Sequence, residues 1–181
     1  MKIILSILLF CSLLLADRDG GPYIGFGYGI STFSDDGIYK ELKEDKSNSM
    51  TVYGGAYINK HLSVELGFVN MTSGNGFIAV DATNKENDLS FSSLNFSTLA
   101  HYAFFDDILD FYAKFGVGQM DATGVGTTGF TMLFGTGVGV RFSEMLSMKV
   151  AYDRYITDYE KSGAKHEMHV DFIYTALEVQ F

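Results

Sequence analysis

The sequence predicts an all-β protein: an eight-stranded antiparallel up-and-down transmembrane β-barrel. Three observations carry this prediction. Eight segments after residue 16 alternate apolar with small or polar residues at period two, the mark of strands with two different faces. Ten of the eleven glycines inside those segments share the face that carries Glu65, Lys114, Arg141, Lys149 and Glu178; only Gly54 lies on the other. Connections alternate in length: those near 59–61, 105–109 and 143–145 are short, while those near 34–49, 72–88, 121–129 and 156–167 are long and polar.

Composition supports this class and excludes others. A chain of 181 residues is one ordinary domain. A net charge of −9 lacks the basic footprint of a nucleic-acid binder. Twenty Gly with 11 Tyr and 16 Phe disfavour a helical bundle, because Gly weakens helices and aromatic residues favour strands. Met1-Lys2, the uncharged run Ile3 to Leu15 and then Ala16-Asp17 read as a secretory signal peptide over residues 1–16, leaving a barrel domain over 17–181. The only cysteine, Cys11, leaves with that peptide; Phe10 before it and Leu13 to Leu15 after it suit a lipoprotein start poorly. The exported chain then has no disulfide, and its stability rests on strand pairing and packing.

The first strand is expected over 23–33, with Ile24, Phe26, Tyr28 and Ile30 opposing Gly25, Gly27, Gly29 and Ser31, and with Pro22 at its start, where a missing N–H is tolerated. The second covers 50–58 (Val52, Ala56 and Ile58 against Tyr53, Gly55 and Tyr57), and the third 62–71 (Leu62, Val64, Leu66 and Phe68 against Ser63, Glu65 and Gly67). The fourth, 89–104, sets Leu94, Phe96, Ala100 and Tyr102 against Ser93, Asn95, Ser97 and His101. The fifth, 110–120, opposes Phe111, Ala113, Phe115 and Val117 to Tyr112, Lys114, Gly116 and Gly118. The sixth spans 130–142, the seventh 146–155 and the eighth 168–181, where Ile173, Leu177, Val179 and Phe181 oppose Tyr174, Ala176, Glu178 and Gln180.

An apolar face opposite a small or charged one fits two barrels. A soluble barrel turns the apolar face inward, which would leave the glycine-lined, charged face outside and give no reason for the alternating loop lengths. A membrane barrel turns the apolar face to lipid, with short periplasmic turns and long outer loops, and needs strands of about 9–11 residues. Only a closed barrel satisfies a sheet's backbone hydrogen bonds in lipid. Tyr23, Phe33, Tyr102, Phe104, Phe142, Tyr155 and Phe181 fall near strand ends, where aromatic girdles sit.

Tyr53-Gly54-Gly55-Ala56-Tyr57-Ile58-Asn59 running into Leu62-Ser63-Val64-Glu65-Leu66-Gly67-Phe68, the stretch from Asp106 to Gly116 and the terminal Ala176-Leu177-Glu178-Val179-Gln180-Phe181 resemble the OmpA-like family of eight-stranded outer-membrane β-barrels, with its OmpX-type and opacity-type members. The resemblance covers nearly all of the exported chain. It implies the outer membrane of a Gram-negative bacterium, both termini in the periplasm, and a monomer among outer-membrane lipids and lipopolysaccharide. It also implies an assembly signal for the barrel-assembly machinery at Leu177, Val179 and Phe181. It places Glu65 and Lys149 where such barrels carry an interior acidic–basic pair, and Lys114 and Arg141 at inward basic positions. No peptidoglycan-binding domain follows the barrel, so a cell-wall anchoring role is not implied.

An eight-stranded barrel has an interior just wide enough for side chains to fill, and buried charges must be paired or solvated. The expectation is a polar interior network of Glu65, Lys114, Arg141, Lys149 and Glu178 that plugs the lumen; the competing reading is a gate for a narrow channel. Little points to chemistry. His166 and His169 flank Glu167, but strand residues three apart point to opposite faces, which speaks against a metal site. His101 reads as a polar core residue. For an enzyme no compelling Ser–His or Asp–His combination stands out; Asp153 with His169 near the outer rim is the pairing considered, and His169 takes the lipid-facing parity. Gly124 to Gly129 lacks the helix and Lys-Ser/Thr of a phosphate loop. No catalytic residue, cofactor or metal is assigned. The expected role is structural or surface-interacting (adhesin-like), through four outer loops that meet a host or surface ligand. The alternatives are a small low-conductance, porin-like channel and an outer-membrane lipid-modifying enzyme.

Overall fold

A computed structural model describes residues 20–35, 41–72, 77–80, 86–105, 108–123, 127–161 and 164–181. The signal peptide expected over 1–16 lies outside the described residues. All regular structure among the described residues is strand: β1 (Gly21–Asp35), β2 (Glu41–Glu44), β3 (Lys46–Asn59), β4 (Leu62–Asn70), β5 (Phe77–Val80), β6 (Glu86–Phe104), β7 (Leu109–Thr123), β8 (Thr127–Arg141), β9 (Leu146–Lys161) and β10 (Ala164–Gln180).

Eight of these close a barrel. Each of β1, β3, β4, β6, β7, β8, β9 and β10 pairs antiparallel with its neighbour in that order, and β10 returns to β1 with Tyr23 opposite Gln180 and Asp35 opposite Met168. Two four-residue strands are additional. β5 pairs with the start of β6, and β2 with β5, so the first two long connections build a small sheet beyond the barrel wall. The sequence reading treats both connections as loops. They escape it because a four-residue strand is too short for period two to register against Gly and Asn neighbours. Most barrel strands, at 14 to 19 residues, also outrun the 9–11 needed to cross lipid.

The alternation divides inside from outside along every barrel strand. Ile24, Phe26, Leu66, Phe96 and Ile173 stand half-exposed on the outer wall, while their neighbours Tyr23, Glu65, Asn95 and Tyr174 are buried inside. Apolar side chains cover the outside from the short turns up to a ring of polar outward positions that includes Thr32, Asn70, Gln119, Arg154 and Asp171. An apolar wall this continuous far exceeds the patches of a few hundred Å² that soluble monomers expose, and only lipid can cover it.

Three of the seven aromatic residues expected in girdles belong inside. Tyr23, Phe33 and Tyr155 are 3%, 1% and 3% exposed and point into the lumen. They hold inward parity, which overrides their nearness to strand ends. Tyr102, Phe104, Phe142 and Phe181 do face outward, all at the short-turn end.

Candidate functional site

The interior is built in two layers. Toward the short turns it is polar and charged. Lys114, on β7, ties two carboxylates together: its Nζ is 2.7 Å from Glu65 Oε1 on β4 and 3.2 Å from Asp153 Oδ2 on β9. The Tyr174 hydroxyl donates to the same Asp153 oxygen at 3.1 Å. Lys149, on β9, pairs with Glu178 on β10, which also accepts from the Tyr57 hydroxyl at 3.2 Å. Its ammonium stands 5.2, 5.9 and 5.4 Å from the ring centres of Tyr23, Tyr53 and Tyr112, a cation–π cage.

These five charged side chains are buried, at 1–8% exposure. Glu65 and Lys149, expected as partners, instead meet Lys114 and Glu178 respectively. Arg141 stands apart. It lies half-buried at the end of β8, lining a 240 Å³ hollow with Ile108, Phe142 and Glu144, and makes no ion pair among the described residues. Asp153 takes the place in the network that Arg141 was expected to fill. The sequence reading puts Asp153 near the outer rim with His169; it sits mid-lumen, and His169 pairs with Glu167 at 2.9 Å.

Glycines make room for this layer. Gly55 and Gly137 lie under the phenol ends of Tyr23 and Tyr112, where a methyl group would overlap the rings. Tyr23 and Tyr112, which help enclose Lys149, therefore fit because the positions paired with them on the neighbouring strands are glycine.

Close to the short turns is an arrangement the sequence reading misses. His101 Nδ1 lies 2.8 Å from Asp110 Oδ2, and His101 Nε2 lies 2.8 Å from Ser63 Oγ. Serine, histidine and aspartate are thus linked in one line. Ser63 is fully buried, His101 is 5% exposed, and the Tyr57 ring lies 5.1 Å from the imidazole. The Tyr23 hydroxyl continues the line, 3.3 Å from Ser63 Oγ and 3.4 Å from Glu65 Oε2, to which it donates. One signal could have revealed it: all three residues have inward parity and lie beside the two short turns 59–61 and 105–109.

Toward the long loops the lumen turns apolar. Val69, Leu133, Tyr155, Phe172, Met120 and Val170 fill its cross-section, each 3% exposed or less. Beyond them Phe33, Phe77 and Phe91 pack face and edge at centroid distances of 5.0 to 5.8 Å, with Met71, Leu89 and Met168 around them. Thus β5 is fixed in place by Phe77, which packs against rings from both β1 and β6. This upper layer shares the inward parity of the polar one, so no change of period announces it.

Among the described residues no group of three His, Cys, Asp or Glu side chains could hold a metal ion. The His166 side chain lies outside the described residues.

Comparison with known proteins is consistent with this geometry. The family model described as outer membrane protein beta-barrel domain matches residues 3–181. Neisserial surface protein A superposes with a TM-score of 0.66 at 11% identity, over 90% of this chain and 99% of that one. OprG from Pseudomonas aeruginosa gives 0.57 at 11% identity, over 92% and 98%. Ail of Yersinia pestis, in complex with the heparin analogue sucrose octasulfate, gives 0.51 at 13% identity, over 88% and 99%. No curated protein matches the chain.

Proposed function

The chain belongs to the outer membrane protein beta-barrel family and is an integral protein of the Gram-negative outer membrane; on that premise we propose that it is a closed barrel whose work is done by its outer loops. The supporting observation is the apolar upper lumen. Leu133, Phe172 and the mutually packed rings of Phe33, Phe77 and Phe91 belong to one buried apolar cluster, and a close-packed apolar layer of this kind offers water no path. Below it, each buried charge of Glu65, Lys114, Lys149 and Glu178 has a partner, as a static plug requires. The low-conductance channel is therefore the second reading. Planar-bilayer recordings on the refolded protein test the choice: the closed barrel gives no steady conductance, and a steady open level overturns it.

The enzyme reading is weaker. Ser63, His101 and Asp110 have the partners of a nucleophilic triad, but a serine with no exposed surface offers nothing to a substrate.

In this proposal residues 1–16 are a cleaved signal peptide, Leu177, Val179 and Phe181 address the barrel-assembly machinery, and the barrel is monomeric in lipid and lipopolysaccharide. The loops are the structural or adhesin-like surface. Ail holds a polysulfated heparin analogue; here each of the segments 34–49, 72–88, 121–129 and 156–167 carries net negative charge. Charge complementarity therefore favours a cationic ligand, or a phosphate surface bridged by divalent cations. Exchanging the segments while keeping the barrel should abolish binding to such a surface and leave insertion intact.

A further inference from the structure

We propose that Asp110, His101, Ser63 and Tyr23 form a proton path that loads the buried Glu65–Lys114–Asp153 cluster from the periplasmic side. Two observations lead to it. The first is a charge imbalance. Two carboxylates, each 4% exposed or less, share a single ammonium, and Asp153 Oδ1 has no hydrogen-bond partner among the described residues. A surplus negative charge enclosed by protein is costly, and one bound proton removes it. The second is an unbroken file of groups leading out. Imidazole, serine hydroxyl and phenol can each accept one proton and release another, and successive contacts from Asp110 to Glu65 measure 2.8, 2.8, 3.3 and 3.4 Å. Asp110, whose side chain is 22% exposed, is the end that meets solvent.

The transfer balances as follows. A proton arrives at His101 beside Asp110 and binds one ring nitrogen, and the other nitrogen releases a proton to Ser63. Ser63 passes its own hydroxyl proton to Tyr23, and Tyr23 passes its own to Glu65. One proton leaves the periplasm, one is gained by the cluster, and Lys114 keeps its charge throughout. Ring and hydroxyl rotations reset the file.

Around His101 stand Tyr57 on β3, His61 in the following turn, Glu65 on β4 and Tyr112 with Asp110 on β7; Arg141, Lys149 and Glu178 lie on β8, β9 and β10 at the same end. Three carboxylates and two fixed cations flank the imidazole. The sidedness of the path rests on the closed upper lumen proposed above; the path itself does not.

Infrared spectroscopy on the refolded barrel tests it, with folding checked by heat-modifiable gel shift. The wild type should show the carbonyl stretch of a protonated carboxyl that is lost in Asp153→Asn or Glu65→Gln. After transfer to D2O that band should shift more slowly in Ser63→Ala and Tyr23→Phe by about tenfold or more, a low bar against the roughly 10²–10⁴-fold that a positioned proton-transfer group contributes. Ser49→Ala, which removes a buried hydroxyl outside the file, should match the wild type. A missing band, a band that survives both carboxylate substitutions, or a smaller slowing overturns the proposal. If Ser63→Ala fails to fold, Tyr23→Phe, which keeps the ring, decides alone. A conducting barrel with slowed exchange in these variants would sink the closed-lumen reading and leave the path standing.

Discussion

Replacing Lys149 with Met removes one ammonium from the lumen and leaves Glu178 behind. Glu178 is 2% exposed, and its remaining side-chain donor is the Tyr57 hydroxyl at 3.2 Å. Breaking a buried pair by removing one member costs about 3–5 kcal/mol, mostly because the survivor is charged and enclosed. The ammonium also loses three tyrosine faces between 5.2 and 5.9 Å, worth about 0.5–1 kcal/mol or somewhat more each when desolvated. The single change should therefore destabilise by about 4.5–8 kcal/mol. Adding Glu178→Gln removes the stranded charge and keeps an acceptor for Tyr57. The double variant should recover most of the pair term and remain only about 1.5–3 kcal/mol below wild type, the part owed to the lost ring contacts. Denaturant titration in lipid vesicles, read as the fraction running at the folded position on a gel, gives the three stabilities. If the double variant is as unstable as Lys149→Met or more so, the two groups are not coupled and the argument fails.

The other expected outcomes concern the wall, the outer edge and the last strand. A methyl group at Gly29 would fall inside the contact shell of the Ile173 carbonyl oxygen and the Tyr174 backbone, whereas one at Gly54 would rest 3.6 Å from the Tyr23 carbonyl oxygen; Gly29→Ala should cost about 1–3 kcal/mol or more and Gly54→Ala nothing, both measured by the same titration. At the polar ring above the apolar belt, hydrogen bonds from Arg154 hold the Asp171 carboxyl below the usual carboxylate range. A lowered folded-state value means the pair stabilises above the unfolded carboxylate's pKa of about 3.9 and loses that contribution as pH falls through the folded value. With side chains 46% and 24% exposed, Asp171→Asn should cost at most about 1 kcal/mol at pH 7 and converge with wild type in strong acid; a gap that widens on acidification would contradict this. Phe181→Ala should reduce the barrel recovered in outer-membrane fractions from cells while refolding into detergent proceeds normally. An equal loss in detergent would mean that Phe181 acts through packing and not as an address.

Much of the barrel was legible in the sequence because lipid imposes a strict rule: every second residue meets hydrocarbon from one edge of the membrane to the other. Ile24 to Ile30 against Gly25 to Ser31 shows the rule at full strength. Inside the lumen no such rule applies. Glu65, Lys114, Lys149 and Glu178 could be assigned to the interior by parity alone, yet their pairing depends on how far neighbouring strands slide past one another. Ser63 lies opposite Leu99 and His101 opposite Tyr112, so Ser63 meets His101, and His101 meets Asp110, on diagonals two residues off register. Those offsets are set by tilt and closure, which no local pattern encodes. The apolar upper layer was hidden for a related reason: Leu133 sits between outward apolar Met132 and Phe134, so both faces look alike there, while Phe91 between Ser90 and Ser92 and Met120 between Gln119 and Asp121 invert the polarity of the two faces without changing the period.

The seam between β1 and β10 has a consequence for the order in which the molecule can be made. Tyr23 stands opposite Gln180 in the strand register, and the Phe181 N–H donates to the Pro22 carbonyl at 2.9 Å. The first strand waits for the last, across a sequence separation that makes ring closure slow compared with hairpin formation. Until β10 arrives, β1 and β9 each expose a row of unpaired N–H and C=O groups, at a cost of several kcal/mol per group if they face hydrocarbon. A growing sheet of seven strands is therefore not a resting state in the bilayer. It must be held outside the membrane or edge-paired with something else, and release into lipid becomes an all-or-none event triggered by the final seventeen residues of strand.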